Sequence, residues 1–261
     1  MRSRWPIALF VFRDVTRSKW AFIYGAFFLA VSEGLLRFGG DPAKAIVSLM
    51  NVTLFIVPLI SLVFGAMYVY TAREFTELLL TQPMGRGEIY RGLFGGLTAS
   101  LVTGYILGVG APFVVRAGFG LGAPELTLLV VGALLTVIFL ALAFLIAVRA
   151  DDRGKGIGII IAVWLFLAVV YDGLVLWAVM VFERYPLETP MIALTLLNPI
   201  DLGRILLLLQ LDISALMGYT GAVFARFFGS GQGAALSFVA LVAWALIPLL
   251  LGLRFFKRKD F

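Results

Sequence analysis

The chain contains no cysteine and no histidine among its 261 residues. The absence of cysteine excludes disulfide bonds, and the absence of both residue types excludes zinc sites built from thiolate and imidazole ligands. It also excludes catalytic triads and proton relays that depend on an imidazole base. We therefore expect this chain to hold no metal site and no catalytic residue.

Charged residues are also scarce. They make up 14% of the chain, whereas an average soluble domain has about 25%. Hydrophobic residues make up 62%, and the mean hydropathy is +1.04, which indicates a polytopic membrane protein. A helix needs roughly 20 mainly apolar residues to cross a bilayer. We predict an all-α fold in which residues 1–261 form a single transmembrane domain, and the predicted spans are 20–36, 45–70, 89–115, 126–148, 157–182 and 234–256.

The distribution of lysine and arginine predicts the orientation, because cytoplasmic loops are enriched in both residues. With the N-terminus inside, the outer segments contain only Arg37, Lys44, Arg116, Arg184, Arg204 and Arg226. All the other basic residues then lie in inner segments, and both termini are expected to be cytoplasmic. The net charge of +6 is explained in this way, so no nucleic-acid partner is expected.

Residues 1–19 have the pattern of an amphipathic helix. Trp5, Leu9 and Phe12 share an apolar face at helical spacing, and arginines occupy another side. This pattern is typical of a helix that lies in the membrane interface and contacts lipid. The alternative is that these residues extend the first span on its inner side.

Residues 71–91 connect spans two and three and contain more charge than a simple turn requires. Residues 72–81 can continue as a helix, in which Phe75, Leu78 and Leu79 fall on one face. An apolar ridge outside the membrane needs a partner, unless it packs on the protein itself. The other inner loop carries Asp151 and Asp152, either as a cation site or, as we favour, as a solvated turn.

The connection 183–233 contains apolar pieces that are too short to span a membrane, which favours short re-entrant or interfacial outer helices. Asn198 and Pro199 separate two of these pieces, and Asp201 is predicted to cap the second.

Asp172 lies near the middle of span five, where an acid costs about 2.5–3.5 kcal/mol on insertion scales. Either it lines a pathway, or it is protonated or hydrogen-bonded to a neighbouring span, because no basic partner is evident.

Span three carries Gly92, Gly96, Gly104 and Gly108 in two pairs of four-residue spacing. Such pairs allow two helices to approach closely. We expect these glycines to serve packing within the chain rather than a dimer contact.

The segment ELLLTQPMGRGEIYRG, residues 77–92, resembles the coupling segment of the ABC-2 type permeases of ABC transporters. The order of an inner amphipathic helix, six spans and short outer helices is similar to theirs. FIVPLISLVFG (55–65), AVWLFLAVVYDGLVL (162–176) and LLNPIDLGRI (196–205) resemble the subgroup that serves copper-site assembly of nitrous oxide reductase.

The resemblance implies an inner-membrane permease that pairs with a second copy and has no ATPase activity of its own. ATP and magnesium would bind a separate cytoplasmic ATPase subunit, and the outer partner would be a periplasmic copper-handling protein. The alternative is an ABC-2 exporter of a lipid, polysaccharide or drug. The implied ATPase contacts are Arg73, Glu74, Phe75, Glu77, Leu78, Leu79, Asp151, Asp152 and Arg153. The implied outer gate or docking residues are Asn198, Pro199, Asp201, Arg204 and Tyr219, with Asp172 as the pathway candidate.

Overall fold

A computed structural model describes residues 5–39, 42–81, 84–117, 121–182, 188–211, 227 and 231–259. Within these ranges the secondary structure is entirely helical. We number the helices α1 (Trp5–Arg17), α2 (Lys19–Phe38), α3 (Pro42–Thr71), α4 (Arg73–Leu80), α5 (Arg86–Ala117), α6 (Ala123–Arg149), α7 (Arg153–Leu165), α8 (Tyr171–Val181), α9 (Glu188–Leu196), α10 (Pro199–Gln210) and α11 (Gly231–Arg258). A π-helical turn, Phe166–Val170, joins α7 to α8.

Six helical stretches of the described chain are long and apolar enough to cross a membrane, which confirms the predicted number. They are Lys19–Phe38, Ala43–Thr71, Arg86–Arg116, Ala123–Arg149, Arg153–Val181 and Ala235–Arg258. Most run a few residues past the predicted limits, because charged residues at a span's ends can continue the helix outside the apolar region. The protein is therefore an all-α, multi-pass membrane protein. We call the end of the bundle that carries α4 and residues 150–152 the inner end, and the opposite end the outer end.

Span four lies at the centre of the bundle. Its helix, α6, contacts α3, α5, α10 and α11, and 56% of its most apolar window is buried. For span five the buried share is 11%. An apolar helix with so little burial presents its surface to lipid or to another protein, so span five lies at the periphery of the single chain.

The glycines of α5 pack within the chain, as the sequence predicts. A Cβ built on Gly96 would lie 2.5 Å from the Cβ of Val11 in α1, and one built on Gly108 would lie 2.7 Å from the carbonyl oxygen of Gly25 in α2. One pair of glycines therefore accommodates α1 and the other accommodates α2.

The N-terminal helix is not a continuous extension of the first span. Ser18 has an extended backbone and caps α2, and its Oγ accepts a hydrogen bond from the Ala21 amide at 3.4 Å. Val11 and Val15 are buried, whereas Leu9 and Phe10 are about half exposed. Helix α1 thus has one face on the protein and a second apolar face that is about half exposed; its position in the interface stays a prediction.

Candidate functional site

Helix α4 forms the main feature of the inner end, and it uses part of its apolar surface to pack on the chain itself. Leu79 is 8% exposed, and the ring of Phe75 stacks on Phe10 of α1 with their centroids 5.5 Å apart. The sequence predicts that both residues belong to one apolar ridge, which either meets a partner or packs on the chain itself. The structure buries Leu79 and partly covers Phe75, on which Phe10 of α1 stacks.

The exposed face of α4 consists of Glu74, Glu77, Leu78 and Thr81, which follow the i, i+3, i+4, i+7 spacing of one helical stripe. Leu78 is 66% exposed and is the one large apolar residue of that stripe. A partner that docks here would therefore meet one leucine beside two carboxylates.

The two predicted inner contacts meet each other. Arg73 at the start of α4 lies over the ring of Tyr70, and its Nη2 is 3.6 Å from Oδ1 of Asp151. Asp152 caps α7 by accepting a hydrogen bond from the Lys155 amide at 2.6 Å, and Arg153 begins that helix. Arg73 therefore points toward the second inner loop and links it to α4.

The C-terminal end of α11 ties this junction together. The Lys259 Nζ donates to Asp151 Oδ1 at 2.8 Å and to the Val148 carbonyl at 2.7 Å. Arg86, at the start of α5, donates to the carbonyls of Lys257 and Lys259 at 3.1 and 2.7 Å. From the sequence, the basic C-terminal residues predict only the orientation in the membrane, because their order does not reveal which loop they contact.

The Lys259–Asp151 pair predicts a pH-dependent contribution to stability. The hydrogen bond from Lys259 holds the pKa of Asp151 below its usual range, and the charge of Arg73 acts in the same direction. A lowered native pKa stabilises the fold above the unfolded value of about 3.9, and this contribution is lost as the pH falls through the native pKa. We expect Asp151→Asn to lower the melting temperature slightly at pH 7. At a pH below the native pKa of Asp151 the substitution should leave the melting temperature unchanged.

The control for this effect is the same substitution in a Lys259→Met background, where the carboxylate has lost its main partner. The two changes should be strongly non-additive, because they remove one contact. Fully additive losses at pH 7 would contradict the pairing.

At the outer end, α9 and α10 form a bent pair whose axes differ by 110°. Asn198 occupies the bend and caps α10, with its Oδ1 accepting a hydrogen bond from the Ile200 amide at 3.1 Å. Pro199 takes the first helical position, where its missing N–H is not needed. The prediction that Asp201 caps this helix is wrong, because α10 begins at Pro199, three residues earlier than an N-cap at Asp201 requires.

Asp172 has a basic partner that the sequence analysis does not find. Nη1 of Arg204 donates to Asp172 Oδ2 at 2.8 Å and to Asp201 Oδ1 at 2.9 Å. The side chains of Asp172 and Arg204 are 39% and 32% exposed, and charges inside a membrane normally face protein or water rather than lipid. This cluster therefore marks a side of span five that needs a polar or protein environment; its role in a pathway stays a prediction.

A cavity of about 250 Å³ adjoins this cluster. Asn51, Leu54 and Phe55 of α3 line one side, and Ala168, Ile200 and Arg204 line the other. The volume accommodates several water molecules, so Arg204 can be solvated on the side that faces α3. Tyr219, also predicted for the outer site, lies outside the described residues.

Known proteins resemble this chain over its whole length. The sequence profile of the family described as ABC-2 family transporter protein matches residues 5–261. The chain is 28% identical over 277 residues to the probable ABC transporter permease protein NosY of Pseudomonas aeruginosa, and the alignment covers 98% of both chains. It is 29% identical over 291 residues to the protein of the same name from Stutzerimonas stutzeri, with 99% of both covered.

Proposed function

This chain belongs to the ABC-2 family of transporter proteins and is a permease subunit, and we propose that it couples a cytoplasmic ATPase to a periplasmic partner in copper-site assembly of nitrous oxide reductase. The observation that carries this proposal is the end-to-end similarity to two permeases named NosY. In this proposal two copies lie in the inner membrane with their termini in the cytoplasm. The ATPase is NosF-like and carries ATP and magnesium, and the outer partner is NosD-like.

The contacts at the inner end support the proposed coupling to an ATPase. The ATPase docks on the exposed face of α4 and on the loop that contains Asp152 and Arg153. Arg73 and Lys259 both contact Asp151. A displacement of α4 would therefore also move the start of α7 and the end of α11. Nucleotide-driven closure of two ATPases would then rotate these helices as rigid bodies.

At the outer end, the bent pair α9–α10 is the proposed docking surface for the periplasmic partner. The bent pair α9–α10 is hydrogen-bonded to span five at three points, and the inner end of span five begins at Arg153. The force that the ATPase applies to α7 thus reaches the outer helices through one continuous span. The NosD-like partner is proposed to dock at the bend between α9 and α10, where Leu197 is 60% exposed. Asn198 and Pro199 are buried at that bend and would position the surface, whereas Asp201 and Arg204 are partly exposed beside it.

Complementation tests the proposed role. A host that lacks its own permease for this enzyme receives this chain together with the ATPase and the periplasmic protein that co-purify with it. We expect nitrous oxide reductase to regain its copper content and its visible copper spectrum. If the ATPase co-purifies while the reductase stays without copper, the chain is instead an ABC-2 exporter of another cargo, such as a lipid, polysaccharide or drug.

A further inference from the structure

The π-helical turn of span five is held from outside by one side chain. The turn spans Phe166–Val170, and the Nδ2 of Asn198 donates to the carbonyl of Leu167 at 2.9 Å. Asn198 is completely buried. Single π turns are rare and often lie at functional sites, and an inserted side chain is a known cause of local bending. The turn is therefore a defined irregularity with a dedicated partner.

Asn198 uses all of its polar groups in this position. Its Nδ2 also donates to Asp201 Oδ2 at 3.0 Å, and its Oδ1 caps α10. One buried amide thus joins span five, the first turn of α10 and the Asp201–Arg204 pair. A residue that served only as a helix cap would not need the bond to Leu167.

Two further bonds connect the same parts of the molecule. The Tyr171 hydroxyl donates to the Leu194 carbonyl in α9 at 2.7 Å, and Arg204 in α10 donates to Asp172 at 2.8 Å. Together with Asn198 they attach both helices of the bent pair to one stretch of span five, from Leu167 to Asp172. We call these three bonds the span-five latch.

We propose that Asn198 is a positioning residue through which movement of span five is transmitted to α9 and α10. The inference rests on the proposed function, in which the ATPase moves α7. A π turn is a place where α8 can change its angle to α7. Helix α10 packs against α6, α3 and α11, and Trp244 of α11 donates to the Leu196 carbonyl in α9 at 3.2 Å, so without the latch the outer helices would stay with those spans. With the latch in place, the bent pair follows span five.

Spin-label distances test this in the complex of the full chain with its ATPase. Because the chain has no cysteine, introduced cysteine pairs are unique. One pair, Leu126→Cys with Leu176→Cys, reports span five against span four. The other, Leu126→Cys with Leu197→Cys, reports the bent pair against span four. These three leucines are all at least 49% exposed, and dilution with unlabelled chain leaves one labelled copy per dimer.

In the unsubstituted protein, ATP with vanadate should shift both distances. In Asn198→Ala the span-five distance should still shift, whereas the bent-pair distance should lose most of its change. Tyr171→Phe, which keeps its ring and removes one latch bond, should give a partial loss. Thr195→Val is the matched control, because among the described residues the Thr195 hydroxyl bonds only to the Met191 carbonyl within α9; it should leave both shifts intact.

The outcomes separate the two proposals. A full bent-pair shift in Asn198→Ala would overturn the latch while leaving the proposed function untouched. If neither distance shifts in the unsubstituted complex although the ATPase hydrolyses ATP, transmission through span five is absent, and both the coupling mechanism and the latch fail.

Discussion

Replacing Gly108 with leucine should prevent spans one and three from packing together. A Cβ at this position would lie 2.7 Å from the Gly25 carbonyl oxygen and 2.8 Å from the Phe28 Cβ. The first obstacle is backbone and cannot rotate away, so α2 and α5 would have to separate. Overpacking costs about 1–3 kcal/mol and occasionally more, and we expect the upper end of that range. The measurement is the melting temperature of the purified protein in detergent, followed by loss of the monodisperse chromatographic peak.

Gly95→Leu is the matched control on the same helix. Apart from its chain neighbours and the backbone of its own helix, no atom of the described residues lies within 4 Å of a Cβ built there. Leucine has a helix propensity about 1 kcal/mol better than glycine, and this benefit applies equally at both positions. Gly95→Leu should therefore melt at or above the temperature of the unsubstituted protein. If Gly108→Leu has the same melting temperature as Gly95→Leu, the close approach of α2 and α5 is not required.

The spans are predictable from sequence because the thickness of the bilayer sets their length, whatever their neighbours are. Span four shows this: the predicted limits are 126–148, and the structure has Ala123–Arg149. The π turn of span five is not predictable, because Phe166–Val170 contains no glycine or proline. Its partner, Asn198, lies about thirty residues along the chain, beyond a connection whose path the sequence does not reveal.

The candidate sites are only partly predictable, for a different physical reason. Helical spacing identifies which residues share a face, but it does not say which face a neighbouring helix covers. Phe75 and Leu78 both belong to the predicted ridge, yet only Leu78 stays exposed, because Phe10 meets Phe75. The prediction of charge pairs is limited for the same reason. Asp172 and Arg204 are each noticeable in the sequence, but only the fold brings their side chains within 2.8 Å of each other.

Changing Leu78 to aspartate should release the ATPase while the permease stays folded. Leu78 is 66% exposed and lies next to Glu74 and Glu77 on the free face of α4. An apolar anchor at the centre of an interface can contribute 2 kcal/mol or more, and each 1.4 kcal/mol changes affinity about tenfold. We therefore expect a loss of roughly thirtyfold or more in affinity for the purified ATPase, measured by titration in detergent.

Thr71→Asp is the charge-matched control for this substitution. Thr71 is exposed at the end of α3, so the variant adds the same negative charge near the same end of the bundle but outside α4. It should bind the ATPase nearly as well as the unsubstituted chain, and both variants should keep the melting temperature. Leu79 is buried, and Phe75 and Leu80 are partly buried against the core, so Leu78 is the one large apolar residue of α4 that is exposed. Unchanged ATPase affinity in Leu78→Asp would therefore remove α4 as the docking element and leave the loop at Asp152 and Arg153 as the remaining inner contact.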